Sequence, residues 1–369
     1  MNRPGNVPQA FPSIREDSLL VASVIIPVYN GKATIERCLN ALAQQSLPPD
    51  CYEIIVVDDG STDTTDRVVA MWRQEHPQIH CKLIRQTNQG PAVARNRGAE
   101  IAQGSLLLFT DADCRPIPDW IETFLMAFGR LPAAGAVAAT ESSRAISAAM
   151  GTYRSEQQTP AARFAQLEFE ERYAYMRHQP GIDVVATYSA AFERVVFQEV
   201  KGFDPSFPKA NNEDVELSYR LSELGYHMAF VPEAIVYHPH RETWWEYAKT
   251  KLGRAYWRTV VYKRYPSKAI KDSYTPQILK VQILLAPLCV VGLLWFLLAR
   301  ETQALLLFAP FLLTTLPMMQ FAVQQKHYAI ALWVPWGLWL RSVVFALGVA
   351  AGIVLSNRTT QNVESVLQK

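Results

Sequence analysis

Apolar and polar positions alternate in blocks along the first third of the chain. Val21–Ile26, apolar but for Ser23, is expected as a buried strand stopped by Pro27. A turn at Val28-Tyr29-Asn30-Gly31 leads into a helix with Ile35, Leu39 and Leu42 on one face. Glu53–Val57 reads as a second buried strand, followed by a helix from about Thr64 to Glu75. Asp63 is placed to cap that helix. Cys81–Arg85 is a third strand, Pro91–Ala102 a helix and Leu106–Thr110 a fourth strand. Strands alternating with helices predict βαβ units and a parallel sheet, hence an α/β fold. Beyond it the pattern predicts a helix over Pro118–Phe128, a strand over Gly135–Ala139 and an amphipathic helix over Ala161–Arg177. A strand over Val184–Phe192 follows, then a helix opened by Asn211–Leu217 and running to Leu224, with Gly225 as its C-cap.

The last third changes character. Trp244–Tyr265 carries apolar residues at 245, 248, 252, 255 and 256 with Lys249, Lys251, Arg254, Arg258, Lys263 and Arg264 between them. Its Trp and Tyr density predicts a membrane-surface helix and argues against a nucleic-acid helix. Gln277–Ala299, Thr302–Val323 and Tyr328–Leu355 are apolar runs long enough to span a bilayer of about 20 helical residues. The third holds Trp333, Trp336, Trp339 and, in mid-run, Arg341. It is expected as a span with Arg341 facing protein or snorkelling; the alternative is an interfacial Trp-rich helix followed by Val343–Leu355. Residues 1–240 have a net charge of −8 and residues 241–280 a net of +7. That basic belt predicts a globular part on the cytoplasmic face of a multi-pass protein of the inner (cytoplasmic) membrane. The expected organisation is a flexible leader (1–19), a globular domain (20–240), a basic juxtamembrane region (241–275), a membrane region (276–356) and a tail (357–369). Cys38, Cys51, Cys81, Cys114 and Cys289 have no metal-type spacing and, being odd in number, suggest no disulfide framework.

The chemistry gathers where strands end. Asp111 and Asp113 are spaced i, i+2 after the fourth strand, so they point to one side of an extended backbone. Two converging carboxylates suit a hard divalent cation, Mg²⁺ or Mn²⁺, with phosphate oxygens completing its shell. Asn30, Asp58 and Asp59 also lie at strand ends. In parallel α/β sheets ligands bind beyond those carboxyl ends.

Four segments together carry a family resemblance: Ser23–Asn30, Val57-Asp58-Asp59-Gly60-Ser61-Thr62-Asp63, Ala94-Arg95-Asn96-Arg97-Gly98 and Asp111-Ala112-Asp113. Their order and spacing resemble glycosyltransferase family 2, over roughly residues 20–260. The resemblance implies a GT-A fold and an inverting transfer of sugar from a nucleotide-diphospho-sugar, UDP-linked in expectation. It implies donor contacts at Pro27, Tyr29, Asn30, Asp58, Asp59 and Asp111, with Arg95 as a base or pyrophosphate contact or else a solvated helix residue. Glu213-Asp214 resembles the family's acidic pair, with Asp214 as the base that takes the acceptor's proton. His238 resembles a third metal or diphosphate ligand, beside Asp111 and Asp113. Ser189 and Lys201 depart from the family pattern, which puts the acceptor in doubt. The expected acceptor is a lipid-linked saccharide or growing polysaccharide at the membrane. A polyprenyl-phosphate glycosyltransferase and an inactive sugar-binding scaffold are the alternatives. A processive synthase would want a Gln-x-x-Arg-Trp motif, which Lys251–Ala255 does not supply.

Overall fold

The computed structural model describes residues 20–131, 145–207 and 211–367, the segment 356–367 as backbone alone. The expected leader (1–19) and the strand read over Gly135–Ala139 lie outside the described residues, as do the side chains of the expected tail. The first half alternates as the apolar blocks dictate: β1 (Ala22–Val28), α1 (Ile35–Ala43), β2 (Tyr52–Asp58), α2 (Thr65–Glu75), β3 (His80–Arg85), α3 (Pro91–Ile101) and β4 (Leu106–Phe109). These four strands are parallel, with Ile25 level with Ile55 on one side and Phe109 on the other. Their carboxyl ends therefore share one edge of the sheet.

Then come β5 (Arg115–Pro116), α4 (Trp120–Ala127), β6 (Ala148–Arg154), α5 (Pro160–Met176), β7 (Ala190–Glu193), α6 (Arg194–Glu199), α7 (Glu213–Glu223) and β8 (Met228–Tyr237). Among the described residues the sheet runs β3-β2-β1-β4-β7-β6-β8-β5. Strand β7 is antiparallel to both β4 and β6, so the sheet is mixed. This is the α/β sheet flanked by helices that the pattern predicts.

Three strand readings change. Pro27 does not stop β1, which continues to Val28. The β4 ladder ends at Ile25, so Pro27 has a strand partner on one side only, where a missing N–H is tolerated. The strand expected over Val184–Phe192 is confined to Ala190–Glu193. Val184 and Val185 are apolar because they are buried in a loop, not because they pair. Strand β6 went unread, since all its positions but Arg154 are buried and no polar alternation marks it.

The C-terminal part holds α8 (Trp244–Arg264), α9 (Pro266–Ile270), α10 (Gln277–Ala299), α11 (Ala309–Leu313), α12 (Leu316–Gln324), α13 (Tyr328–Ala331) and α14 (Val334–Leu367). Gln277–Ala299 and Val334–Leu355 are long and apolar enough to cross a membrane. The run expected as a middle span is bent by 53° between 302–313 and 316–324. Pro310 and Pro317 each stand in the first turn of a short helix, which explains the break. The third run likewise divides, with Pro335 in the first turn of α14.

Helix α8 is not merely laid beside the globular part. Val261 packs with Val184, Phe207, Val215 and Tyr219. Phe164 and Leu167 of α5 pack with Tyr247, Cys289, Phe311 and Leu338. Apolar cores thus cross the boundary expected near residue 240.

Candidate active site

Asp111 and Asp113 emerge where β4 stops. The chain then forms β5, whose Arg115 and Pro116 pair with Tyr237 and Val236 of β8. That short ladder draws the aspartate turn against the end of β8. His238 Nε2 consequently lies 3.5 Å from Asp113 Oδ1. Ligand atoms of Asp111, Asp113, Cys114 and His238 all fall within 4.8 Å of one another. Burial, with the nearby aspartate charges, pushes the Cys114 thiol well above its ordinary range, so it stays a thiol and a weak ligand. Burial also raises the Asp113 carboxyl, His238 draws it down and Asp111 raises it again. The buried Nδ1 of His238 has no hydrogen-bond partner. Two carboxylates and an imidazole around one point form a donor set that fits a hard to borderline divalent cation.

The loops after β1 and β2 are knitted together. Asn30, at φ 53°, accepts from Thr62 N through Oδ1 (2.8 Å), and its own N–H donates to Ser61 Oγ (2.9 Å). Asp63 accepts from Lys32 N (3.0 Å) and from Thr65 N (3.1 Å), so it serves the first turn of α2 although Thr64 holds the cap position. Asp58 is fully buried, and its Oδ1 accepts from Ser61 N (2.8 Å). Its Oδ2 has no hydrogen-bond donor, with Arg85 Nε 3.5 Å away. Asp59 differs. Its Oδ1 accepts from Gln86 Nε2 and Gln89 N, and its Oδ2 from Gly90 N. Both Asp59 oxygens thereby fasten the 86–90 loop at the start of α3. Tyr29 is 54% exposed beside this pair, and Pro27 is half-buried within β1.

Arg95 is neither a solvated helix arginine nor a group open to a ligand here. Its guanidinium is 2% exposed and clasped between Asp111 Oδ1 and Glu213 Oε1, each at 2.8 Å. Burial works against its charge, but Asp111 and Glu213 outweigh it and hold Arg95 firmly protonated. The reason lies in α3: Arg95 stands on its buried face, with Ala92, Ala94, Gly98 and Ala99. Arg95 so joins the metal turn to the start of α7. Asn212 takes a left-handed φ of 67° ahead of that helix, and Glu213 turns inward while Asp214 stays half-buried. Burial lifts Glu213 to about 7, helped by the charge of Asp214 and opposed by Arg95.

A cavity of about 240 Å³ opens at this point. Asp111, Asp214 and His238 line it from the strand ends and α7; Arg172, Lys251 and Arg258 line it from α5 and α8. Ile283 of α10 and Phe345 and Val349 of α14 complete the wall. The aromatic floor was not read from the sequence. Tyr153 packs edge-on to Tyr188 (4.4 Å between ring centres) and lies 5.1 Å from His238. Nor was the buried ion cluster, in which Glu168 receives Lys251 Nζ (2.7 Å) and Arg341 (2.8 Å). The mid-run position of Arg341 was its one visible sign. Of the expected site residues, the cavity gathers Asp111, Asp214 and His238. Asp113 adjoins it through His238, while Tyr29, Asn30, Asp58 and Asp59 occupy the neighbouring strand ends.

Residues 23–200 match the family described as glycosyl transferase family 2. The probable glycosyltransferase YdaM of Bacillus subtilis is 28% identical over 261 residues, 68% of this chain and 58% of that protein. Validoxylamine A glucosyltransferase of Streptomyces hygroscopicus subsp. limoneus is 30% identical over 250 residues, 60% of this chain and 52% of that one. The chain thus spans little more than half the length of these relatives. A mannosyltransferase from Pyrobaculum calidifontis, solved in complex with GDP-Man and Mn²⁺, shares the fold with a TM-score of 0.57. Its identity is 22%, over 90% of this chain and 87% of that one.

Proposed function

Residues 23–200 form a family 2 glycosyltransferase domain, and from that premise we propose that the chain moves a sugar from a nucleotide-diphospho-sugar to an acceptor held at a membrane. One observation carries the reading: the cavity that contains Asp111, Asp214 and His238 is walled on its other side by α10 and α14. Such a cavity suits a polar donor from one side and a membrane-borne acceptor from the other. Asp111, Asp113 and His238 would hold a divalent cation, which would offset the diphosphate charge and support it as leaving group. The Pyrobaculum neighbour was solved with Mn²⁺, which accords with a divalent cation in such a site. The exposed Tyr29 ring, beside the loops that Asp58 and Asp59 hold, would take base or ribose.

In the reaction we propose, an acceptor hydroxyl oxygen attacks the anomeric carbon from the face opposite the diphosphate. The carbon–oxygen bond to the diphosphate breaks, the nucleoside diphosphate leaves with that electron pair, and Asp214 receives the hydroxyl proton. Configuration inverts. Arg95 positions Asp111 and Glu213 without touching substrate. The wall cations Arg172, Arg254 and Arg258 favour a phosphate-bearing acceptor, so a polyprenyl phosphate is the second reading beside a lipid-linked saccharide. The basic stretch 241–280 supports a catalytic domain on the cytoplasmic face.

The test is hydrolysis and transfer by the full chain in detergent across a panel of nucleotide sugars. Turnover of at least one donor with Mn²⁺ or Mg²⁺, abolished by EDTA and restored by the metal, is the expected result. Full turnover in EDTA removes the metal assignment; no turnover of any donor, with lipid acceptors supplied, leaves the inactive scaffold as the better reading.

A further inference from the structure

Helix α14 is apolar enough over Val334–Leu355 to cross a bilayer, yet one of its faces stays on the protein. Gly337 lies against the ring of Phe164 on α5, so close that a Cβ would stand 2.6 Å from the ring carbons. One turn on, Arg341 donates to Glu168 of α5 (2.8 Å) and to Gln282 of α10 (2.7 Å). Gly348 meets Ala255 and the backbone of Leu252; Gly352 meets Thr259 and the carbonyl of Tyr256. At Ile353 the carbonyl accepts from Lys263 Nζ at 3.4 Å. From 337 to 353, about 24 Å at 1.5 Å per residue, α14 therefore follows α5 and then α8. Helix α8 is in turn tied to the sheet domain, Arg258 to Tyr219 (2.9 Å) and Arg264 to Asp204 (2.6 Å).

The other face of α14 is a stripe of Trp336, Leu340, Val343, Leu347, Ala350 and Val354, without a polar side chain. An upright α14 would carry α8 through the bilayer beside it. Helix α8 exposes Glu246 and Lys249 near one end and Lys263 and Arg264 near the other. Exposed Arg254 stands at the middle of α8, and Arg258 and Arg264 tie that helix to the sheet domain, so an upright placement would draw Arg254 to mid-bilayer, where a charge costs about 2.5–3.5 kcal/mol on insertion scales.

We propose that α14 lies in the plane of the membrane interface, its apolar stripe seated at the boundary of headgroups and acyl chains. The catalytic domain then rests on the bilayer through α14, and the C-terminal end of the helix remains on that domain's side. Lys249 and Lys263, exposed on the adjoining α8, fit anionic headgroups, and the exposed Trp333 and Trp336 sit at one end as interfacial aromatics. The inserted part is instead the hairpin of α10 and the segment 302–313. Gly292 admits the Ala304 carbonyl, 2.7 Å from where a Cβ would be. Gln282 Nε2 donates to Thr314 O (3.1 Å), so the chain that leaves at Gln282 comes back to it.

This inference does not depend on the chemistry, and its test reads no turnover. Nitroxides at cysteines placed one at a time at 336, 340, 343, 347, 350 and 354, in the full chain in anionic-lipid vesicles, report depth by collision with oxygen and a nickel chelate. One common depth is expected. A profile that deepens to mid-helix and rises again overturns the proposal. Protease added to sealed vesicles should reach a C-terminal tag from the side on which Arg73→Cys, exposed on α2, reacts with an impermeant maleimide. Cleavage from the opposite side overturns it as well.

Discussion

Glu213 and Asp214 are adjacent in sequence and opposite in environment. Glu213 is buried against Arg95, while Asp214 lines the cavity, with Oδ1 accepting from Val215 N (2.9 Å). A base must meet its proton, so the accessible carboxylate is the one we propose for that role. Asp214→Asn keeps shape and removes the base, and transfer should fall by about a hundredfold or more. Nucleotide affinity, measured by calorimetry, should stay close to that of the native protein. Asp111→Asn should weaken nucleotide binding itself in the presence of Mn²⁺. Were Asp214→Asn to lose nucleotide affinity and keep its turnover, the role of base would pass from Asp214. Glu168 is the other carboxylate whose environment decides its use. Burial opposes its charge, but Lys251, Arg341 and Arg172 hold it down to about 2 from an ordinary 4.5. A lowered carboxyl stabilises the native state above the ordinary value and loses that contribution as pH falls toward the lowered one. Glu168→Gln should therefore flatten the loss of thermal stability between about pH 4.5 and 2. At neutral pH it should cost about 3–5 kcal/mol, since Lys251 and Arg341 are left buried without their counter-charge. A melting curve in detergent at both pH values reads both effects.

At the scale of elements, close approach sets the tolerances. Gly98 of α3 rests on β1, where a Cβ would stand 2.5 Å from Ile25 Cγ2 and 3.3 Å from Val57 Cγ2. Both neighbours are fully buried and have nowhere to retreat. Gly98→Ala should thus destabilise by about 1–3 kcal/mol, seen as a lower melting temperature with unchanged metal dependence. An unchanged melting temperature would mean that α3 does not pack this tightly on β1. The same physics explains what could be read in advance. Strands β1, β2 and β4 announce themselves, because parallel strands buried on both faces are largely apolar runs between helical patterns. The convergence of Asp111 and Asp113 followed from them, since i, i+2 spacing after a strand fixes direction. Strand β6 offers only Ala148-Ala149-Met150-Gly151 at its start, small residues with no alternation. Its neighbours come from distant segments, Phe192 on one side and Met228 on the other, and no local pattern records that. The clasp that holds Arg95 was illegible for the same reason. Its partners Asp111 and Glu213 lie on other elements, and a helix arginine read locally looks solvated. In α14 the apolar run was legible, whereas its contact face is carried by Gly337, Gly348 and Gly352, small residues that admit a neighbouring helix.

Over the whole molecule, the sheet domain and the C-terminal helices share their cores. Val184, Phe207, Val215 and Tyr219 need Val261, and Phe164 and Leu167 need Tyr247, Cys289, Phe311 and Leu338. Glu168 has both its cationic ion-pair partners, Lys251 and Arg341, beyond residue 240. The cavity is divided in the same way, with the proposed base on the sheet side and Lys251, Arg258, Ile283 and Phe345 on the helical side. Removing everything after residue 240 would expose several side chains whose burial is worth about 1.5–3 kcal/mol each and strand a buried carboxylate. Against a typical net stability of about 5–15 kcal/mol, that loss is of the same order as the whole. A chain ended at residue 240 should therefore fail to give a monodisperse protein without detergent, although the metal turn, Asp58 and Asp214 are all present in it. A chain ended at residue 275 regains Val261, Tyr247 and Lys251 but not Leu338 or Arg341, and should recover stability only in part. Size-exclusion chromatography and melting curves on the three lengths give the ordering directly. A stable monomer ended at residue 240, melting where the full chain does, would show that the catalytic half stands alone and that the helices only anchor it.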